Sequence, residues 1–291
     1  MGMRIRTNVS SLIAQKHTSL NNQNQQQSLE RLSSGYRINK SADDAAGLAV
    51  SEGLRAKVRG LNVARRNAND GVSMVQIAEG SMNEMSNMLI RMRELTVQAA
   101  SDTIGDVERG YLNREYGQLV KEMDRIINVT EFNGTPIFNA EKDKFVIQIG
   151  TEFSELDENK HTLEIDLEGL KFNTQSEGIE LGEGAVIGQT QDDGPPDRDA
   201  IAGRIGNITN ALTRIASERA TLGSVQSRLN SAIRNIGTSI EGMQAANSRI
   251  RDVDFAAETS RLSQARVMMA SSTSVLSQAN QVPEMALQLL R

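Results

Sequence analysis

The sequence predicts a mainly α protein, an elongated antiparallel coiled-coil helical bundle with a small β-hairpin region. Three observations predict it. Proline, the strongest helix breaker, is absent before Pro136 and again between Pro196 and Pro283, so two long stretches are free to be helical. In the second stretch, apolar residues return every seventh position at Ile201, Ile208, Ile215, Leu222, Leu229, Ile236, Met243 and Ile250, the period of a coiled-coil seam. Between the stretches, apolar and polar residues alternate over Phe145, Ile147 and Ile149 and over Leu163, Ile165 and Leu167, the period of two half-buried strands of a hairpin.

The first stretch answers the second. It places Leu54, Leu61, Ala68, Val75, Met82 and Leu89 on one heptad position and Ala64, Ala78, Met85, Met92 and Ala99 on another, with Lys57 and Gly71 interrupting the second row. Asn69-Asp70-Gly71 reads locally as a turn, but the heptad keeps its phase on both sides, so the helix is predicted to run through. A third segment, about 105–129, offers Leu112, Leu119, Met123, Ile126 and Ile127 to the same bundle. Residues 173–199 lose the period, gain glycine and end in Asp193-Gly194-Pro195-Pro196, which suits an exposed acidic connector where the chain reverses.

The two ends are amphipathic. Residues 1–34 carry Ile5, Val9, Leu12, Ile13, Leu20, Leu29 and Leu32, interrupted by the wholly polar tract Asn21 to Gln27. Residues 262–289 carry Leu262, Met269 and Leu276 in one row, with Met268, Val275, Val282 and Leu289 beside it. A lone helix that cannot bury its stripe does not offset its ordering entropy, so both ends are expected to be disordered until something covers them. The natural cover for Leu276, Met269, Val275 and Val282 is the segment around Leu12 and Leu20.

Composition excludes several functions. Six Phe, three Tyr and no Trp leave too few flat side chains to stack bases, so nucleic acid is not an expected partner. The absence of cysteine removes thiolate chemistry, and two histidines, His17 and His161, are too few for an imidazole metal site. No nucleophile, metal or cofactor constellation is visible, and an enzyme is not expected. No run approaches the roughly 18 apolar residues of a membrane helix, so membrane insertion is not expected either. Residues 141–199 hold 16 acidic against 5 basic side chains, whereas the rest holds 27 basic and 21 acidic, so an acidic middle separates two mildly basic arms.

Four sharper readings give way to plainer ones. The row Met82, Met85, Met88 and Met92 has helical spacing and is read as packing. Asp192, Asp193, Asp197 and Asp199 lack the spacing of a calcium loop and read as solvated connector. Arg55, Lys57, Arg59, Arg65 and Arg66 read as subunit contacts or a solvated face. Asp43-Asp44, after Ser41 and before an apolar periodic run, reads as a helix start rather than an acid/base pair.

Several long blocks, in order, resemble bacterial flagellin: Glu30 to Val50, Arg66 to Gly80, Arg91 to Ala100, Phe132-Asn133-Gly134, Ser227 to Ile233, Ser248 to Glu258 and Ser274 to Arg291. The resemblance covers about 1–172 and 200–291, with only about 173–199 where many members carry large outer domains, so the chain looks like a minimal flagellin. It implies an N-terminal inner-core helix (1–42), outer-core helices and hairpin (43–178), the exposed connector (179–199), a long outer-core helix (200–252) and a C-terminal inner-core helix (253–291), with the terminal helices pairing in the polymer. The implied function is a structural subunit that polymerises into the extracellular flagellar filament for swimming. A hook–filament junction protein is the alternative, because that family shares similar terminal helices. The implied polymerisation seam is Leu12, Ile13, Leu20, Leu262, Met269, Val275, Leu276, Val282 and Leu289.

The resemblance also implies partners: other copies of the chain, the flagellar cap and hook-associated proteins, and an export chaperone at the C-terminal segment. Export through the flagellar type III apparatus needs no cleavable signal peptide, and none is read in the first 15 residues. The positions matching the contact of the vertebrate Toll-like receptor for flagellin are Arg91, Leu95 and Glu115, with Ile90 where the family commonly has Gln.

Overall fold

The computed structural model describes residues 7–140, 142–152, 161–172 and 198–288. Its elements in chain order are α1 (Val9–Ser34), α2 (Ala45–Ala99), α3 (Asp106–Val129), β1 (Glu131–Phe132), β2 (Thr135–Pro136), β3 (Lys144–Gln148), β4 (Thr162–Asp166), α4 (Arg198–Arg251) and α5 (Phe255–Gln288). The proline-free heptad stretches are the helices α2 and α4, of 55 and 54 residues. The chain forms two compact units, one from its ends (Met1–Val58 with Glu241–Arg291) and one from its middle (Arg59–Ile240). The acidic connector up to residue 197, with Asp192, Asp193 and Asp197, lies outside the described residues, whereas Asp199, assigned to the connector from sequence, falls in the first turn of α4.

In the middle unit the heptad rows meet. Val75, Met82 and Leu89 of α2, Ile208, Ile215, Leu222 and Leu229 of α4, and Met123 and Ile127 of α3 are buried in one cluster. Leu61 is half-buried, Ile236 is buried, and the side chain of Ile201 is outside the described set. An ion pair between Glu79 and Arg219 at 3.9 Å, and the approach of Leu229 to Gly71, run α2 and α4 antiparallel. Met82, Met85 and Met92 are fully buried in this cluster, with Met88 packed on its edge, where flexible thioethers fill the gaps between helices.

The hairpin packs on the same core. β3 and β4 pair antiparallel with Phe145 opposite Ile165 and Ile147 opposite Leu163, and the alternation turns Ile147, Leu163 and Ile165 inward. A smaller ribbon, β1–β2, closes through Asn133 and Gly134, both at positive φ (50° and 77°), the backbone that a two-residue type I′ turn requires. The Phe138 and Phe172 rings meet at 5.5 Å between centres, tilted by 48° to one another.

The structure explains why Asn69-Asp70-Gly71 looks like a turn inside an unbroken helix. A Cβ at position 71 would collide with the Ile147 side chain, and one at position 60 would meet Thr151 at 2.7 Å. Asn67 Nδ2 donates to the Gln148 carbonyl at 3.2 Å. Gly71 is therefore the groove in which β3 lies. Gly71→Val is expected to destabilise the middle unit by about 1–3 kcal/mol through overpacking. Gly80, with open space around its missing Cβ, should instead gain about 0.5–1 kcal/mol as alanine. Thermal unfolding of the two variants should shift in opposite directions.

Helix starts follow local chemistry. Asp44 Oδ1 accepts from the Gly47 amide at 2.9 Å ahead of α2, so the second aspartate of the pair caps the helix. Asp43 closes the loop before it, its Oδ2 accepting from the amides of Asn39 (3.1 Å) and Lys40 (3.0 Å) and its Oδ1 from Gln27 (3.2 Å). The Lys40 amide, then that of Asn39, holds the Asp43 carboxyl below the usual aspartate range. A depressed folded-state pKa means that the stabilisation is present at neutral pH and lost as pH falls through that pKa. In an NMR titration, Asp43 should therefore protonate below the ordinary value of 3.8, with the Asn39 and Lys40 amides losing exchange protection over the same interval.

Candidate functional site

The terminal unit is built on α1 and α5, which pack antiparallel along their lengths. Asn8 starts α1, its Oδ1 accepting from the Ser11 amide at 3.1 Å, and Gly35 ends it in the left-handed conformation (φ 74°), its amide donating to the Arg31 carbonyl. Asp254 starts α5, its Oδ1 accepting from the amides of Ala256 (2.9 Å) and Ala257 (3.2 Å).

What α1 turns toward α5 is small and polar. Ser11, Ala14 and Ser28 are buried and Thr18, Asn21 and Gln25 half-buried, at alternating spacings of three and four that make a heptad seam. On α5 the matching row holds buried Glu258, Leu262 and Ala279 with half-buried Ala265, Met269, Ser272 and Leu276. Hydrogen bonds set the register: Asn8 Nδ2 donates to the Ala279 carbonyl (2.7 Å), Ser11 Oγ to Asn280 Oδ1 (2.8 Å), and Asn21 Nδ2 to Ser272 Oγ (2.6 Å).

This corrects two expectations. The ends do not each lack a partner within the chain, because each covers the other. Nor do Leu276 and Met269 face Leu12 and Leu20: small side chains on α1 let the backbones approach, and the asparagine and serine contacts fix a register that leaves Leu12 and Leu20 outside. The polar tract from Asn21, read as an interruption, supplies Asn21 and Gln25 to the seam. A heptad sought among small residues, at positions 11, 14, 18, 21, 25 and 28, was the available signal.

The consequence is an exposed apolar face. Val9, Leu12, Ile13 and Leu20 of α1, and Val267, Met268 and Val275 of α5, are all exposed, as is Leu29 on the other side of α1. Of the sequence-predicted seam, Leu262 is buried between the two helices, Met269 and Leu276 are half-buried there, and Leu12, Ile13, Leu20 and Val275 point outward. The side chain of Val282, and Leu289, lie outside the described residues. Leu54, Met243 and Ile250, of the heptad rows, are half-buried in this terminal unit.

On the middle unit the structure brings Arg91 and Glu115 together and sets Leu95 apart. Arg91 Nε donates to Glu115 Oε1 at 2.8 Å and Nη1 to Glu94 Oε2 at 3.0 Å, joining α2 to α3 on the surface. Glu115, then Glu94, holds the Arg91 guanidinium more firmly protonated than usual. Leu95 is fully buried in the helical core, so its side chain is not presented to a receptor in this structure, a correction to the carried-over contact. The reason is its heptad position: three residues after Met92 and four before Ala99, it shares their inward face.

Two long helices on a common heptad core, a docked hairpin, and terminal helices paired through a polar seam define a helical protein whose outward apolar stripe suits assembly. The family models agree. Residues 5–143 match the bacterial flagellin N-terminal helical region and residues 205–290 the bacterial flagellin C-terminal helical region. Flagellin of Halalkalibacterium halodurans is 37% identical over 289 residues, covering 99% of this chain and 100% of that protein. Flagellin FlaB2 of Treponema pallidum is 38% identical over 296 residues, with the same coverage. A solved Vibrio parahaemolyticus structure named for a flagellar hook-associated protein has a TM-score of 0.60 at 11% identity, covering 72% of this chain and 100% of that one, a likeness of fold. The chain belongs to the bacterial flagellin family, the structural subunits of the flagellar filament. Nothing favours the hook–filament junction alternative.

Proposed function

We propose that copies of this chain polymerise through the outward stripe of the terminal helix pair, with Val9, Leu12, Ile13 and Leu20 of α1 covered by neighbouring copies. The observation that carries the reading is the inverted amphipathicity of α1: its small polar face is buried in the pair and its large aliphatic face is left in water. A cluster of exposed large aliphatic side chains of this kind marks an interaction surface. Contacts between unlike surfaces of identical copies propagate instead of closing, which is the requirement for a filament. Purified chain seeded with filament fragments should elongate, followed by light scattering and electron microscopy. Persistently monomeric protein would overturn the reading.

The same reading covers the further partners that the resemblance implies. Cap and hook-associated proteins would meet the terminal pair at the ends of the filament, and an export chaperone would take α5 once it leaves α1. The serine, alanine and asparagine side chains that α1 contributes to the seam support this separation, because α1 itself exposes little further apolar surface when the pair opens. Placement in an extracellular filament completes the reading. For the vertebrate Toll-like receptor, the surface on offer is the Arg91–Glu115 pair. Glu115→Lys is expected to weaken receptor binding at least tenfold while leaving the monomer's helicity unchanged, read by surface plasmon resonance and circular dichroism.

A further inference from the structure

We propose that Arg251 is a positioning residue for assembly: it pins together the two interruptions at which the terminal helices leave the longer ones, and so sets the direction in which the outward stripe of α1 is presented. The proposal rests on the assembly reading above.

The interruptions are residues 35–44, between α1 and α2, and 252–254, between α4 and α5. They cross within the terminal unit. The Arg37 amide donates to the Arg251 carbonyl at 2.7 Å and the Val253 amide to the Gly35 carbonyl at 3.0 Å, forming one antiparallel bridge between Tyr36 and Asp252. Arg37 Nη2 adds a bond to the Ile250 carbonyl at 2.7 Å. A one-residue bridge is far below the size at which paired strands hold by themselves. It also starts from Gly35, whose left-handed backbone (φ 74°) is the softest point between α1 and α2.

Arg251 supplies what the bridge lacks. Its guanidinium carbon stands 4.7 Å from the centre of the Tyr36 ring. Nη1 donates to Glu52 Oε1 at 2.6 Å. The Arg251 side chain is 16% exposed although Glu52 is 49% exposed, so the cation is tucked into the crossing and meets the carboxylate at its rim. One planar side chain thus touches the loop after α1, an early turn of α2 and its own place at the end of α4. An ammonium could reach Glu52 but has no flat face for the ring. If the pin is removed, the crossing opens and the α1–α5 pair swings about Gly35. A filament repeats one geometry at every copy, so a swinging stripe handicaps each addition.

The test uses the full chain and two readouts: amide exchange at Arg37 and Val253 in the monomer, and the critical concentration for seeded assembly. Arg251→Lys and Tyr36→Leu should each speed exchange at both amides at least tenfold and raise the critical concentration at least tenfold, with unchanged circular dichroism. Arg249→Gln, which removes a charge from the same end of α4, should move neither. Unchanged exchange in both variants would overturn the pin. Faster exchange with an unchanged critical concentration would overturn its role in assembly. Wild-type chain that never elongates seeds would overturn the assembly reading and the positioning role with it, and the exchange data would then show by themselves whether Arg251 holds the crossing.

Discussion

Replacing Leu12 and Ile13 together by aspartate should abolish seeded elongation at any concentration within a hundredfold of the wild-type critical value. In the monomer these side chains are 56% and 53% exposed, so about half of their burial is still to be gained from a neighbouring copy. Complete burial of such a side chain is worth about 1.5–3 kcal/mol, which leaves roughly 1 kcal/mol each for assembly. Aspartate forfeits that and places unpaired charge in a dry contact, a further cost of several kcal/mol. At about tenfold per 1.4 kcal/mol, the combined effect exceeds a hundredfold. The monomer should scarcely notice, because exposed substitutions away from caps and cores usually stay within about 0.5 kcal/mol. Leu276→Asp is the less discriminating variant: Leu276 is half-buried against α1 of its own chain, so the monomer's terminal pair and the polymer should fail together. Normal elongation of the Leu12, Ile13 variant would show that the stripe faces solvent in the filament.

The contrast between these positions shows where the sequence was readable. In the middle unit, large aliphatic residues at heptad spacing both form the helices and fill the core, so Val75, Met82, Leu89, Ile208, Ile215, Leu222 and Leu229 could be named from periodicity alone. Size and burial point the same way there. In the terminal pair they point in opposite directions, since the large residues of α1 lie outside and Ser11, Ala14 and Ser28 lie within. A hydrophobic stripe marks the face that must be covered, without saying whether the cover belongs to the same chain or to another.

Other misses have equally local causes. Phe138 and Phe172 are buried in the middle core but belong to no helical row, since they sit in irregular chain between and after short strands, whereas Tyr116 lies in the α3 row seven residues before Met123 and could have been named with it. Leu95 was carried over by resemblance as a surface contact although its spacing from Met92 and Ala99 already placed it on the inward face. The crossing of residues 35–37 with 251–253 joins positions more than two hundred apart and leaves no periodic trace. Gly71 left a trace that pointed to the wrong cause, because a glycine that admits a strand side chain and one that permits a turn look the same in sequence.

That glycine also locates the most sensitive point of the middle core. Leu229 Cδ1 lies 3.4 Å from where a Cβ on Gly71 would stand, and Ile147 of the hairpin closes the same spot. Leu229 is fully buried, and its isobutyl group and Ile147 of β3 converge on the same glycine of α2. Leu229→Ala removes its transfer energy and leaves a cavity bordered by a strand and two long helices, which cannot collapse without bending a helix. The loss should therefore fall in the upper part of the usual range for such truncations, about 3–5 kcal/mol. For a unit of this size each kcal/mol shifts Tm by about 2–4 °C, so melting should fall by roughly 6–20 °C. Exchange protection at the β3 amides should drop with it, because the hairpin rests on this contact. Amides in the α1–α5 seam, in the other unit, should keep theirs. A loss below about 1 kcal/mol, or protection lost first in the terminal pair, would mean that the α2–α4 contact at Gly71 is not where the middle unit is held.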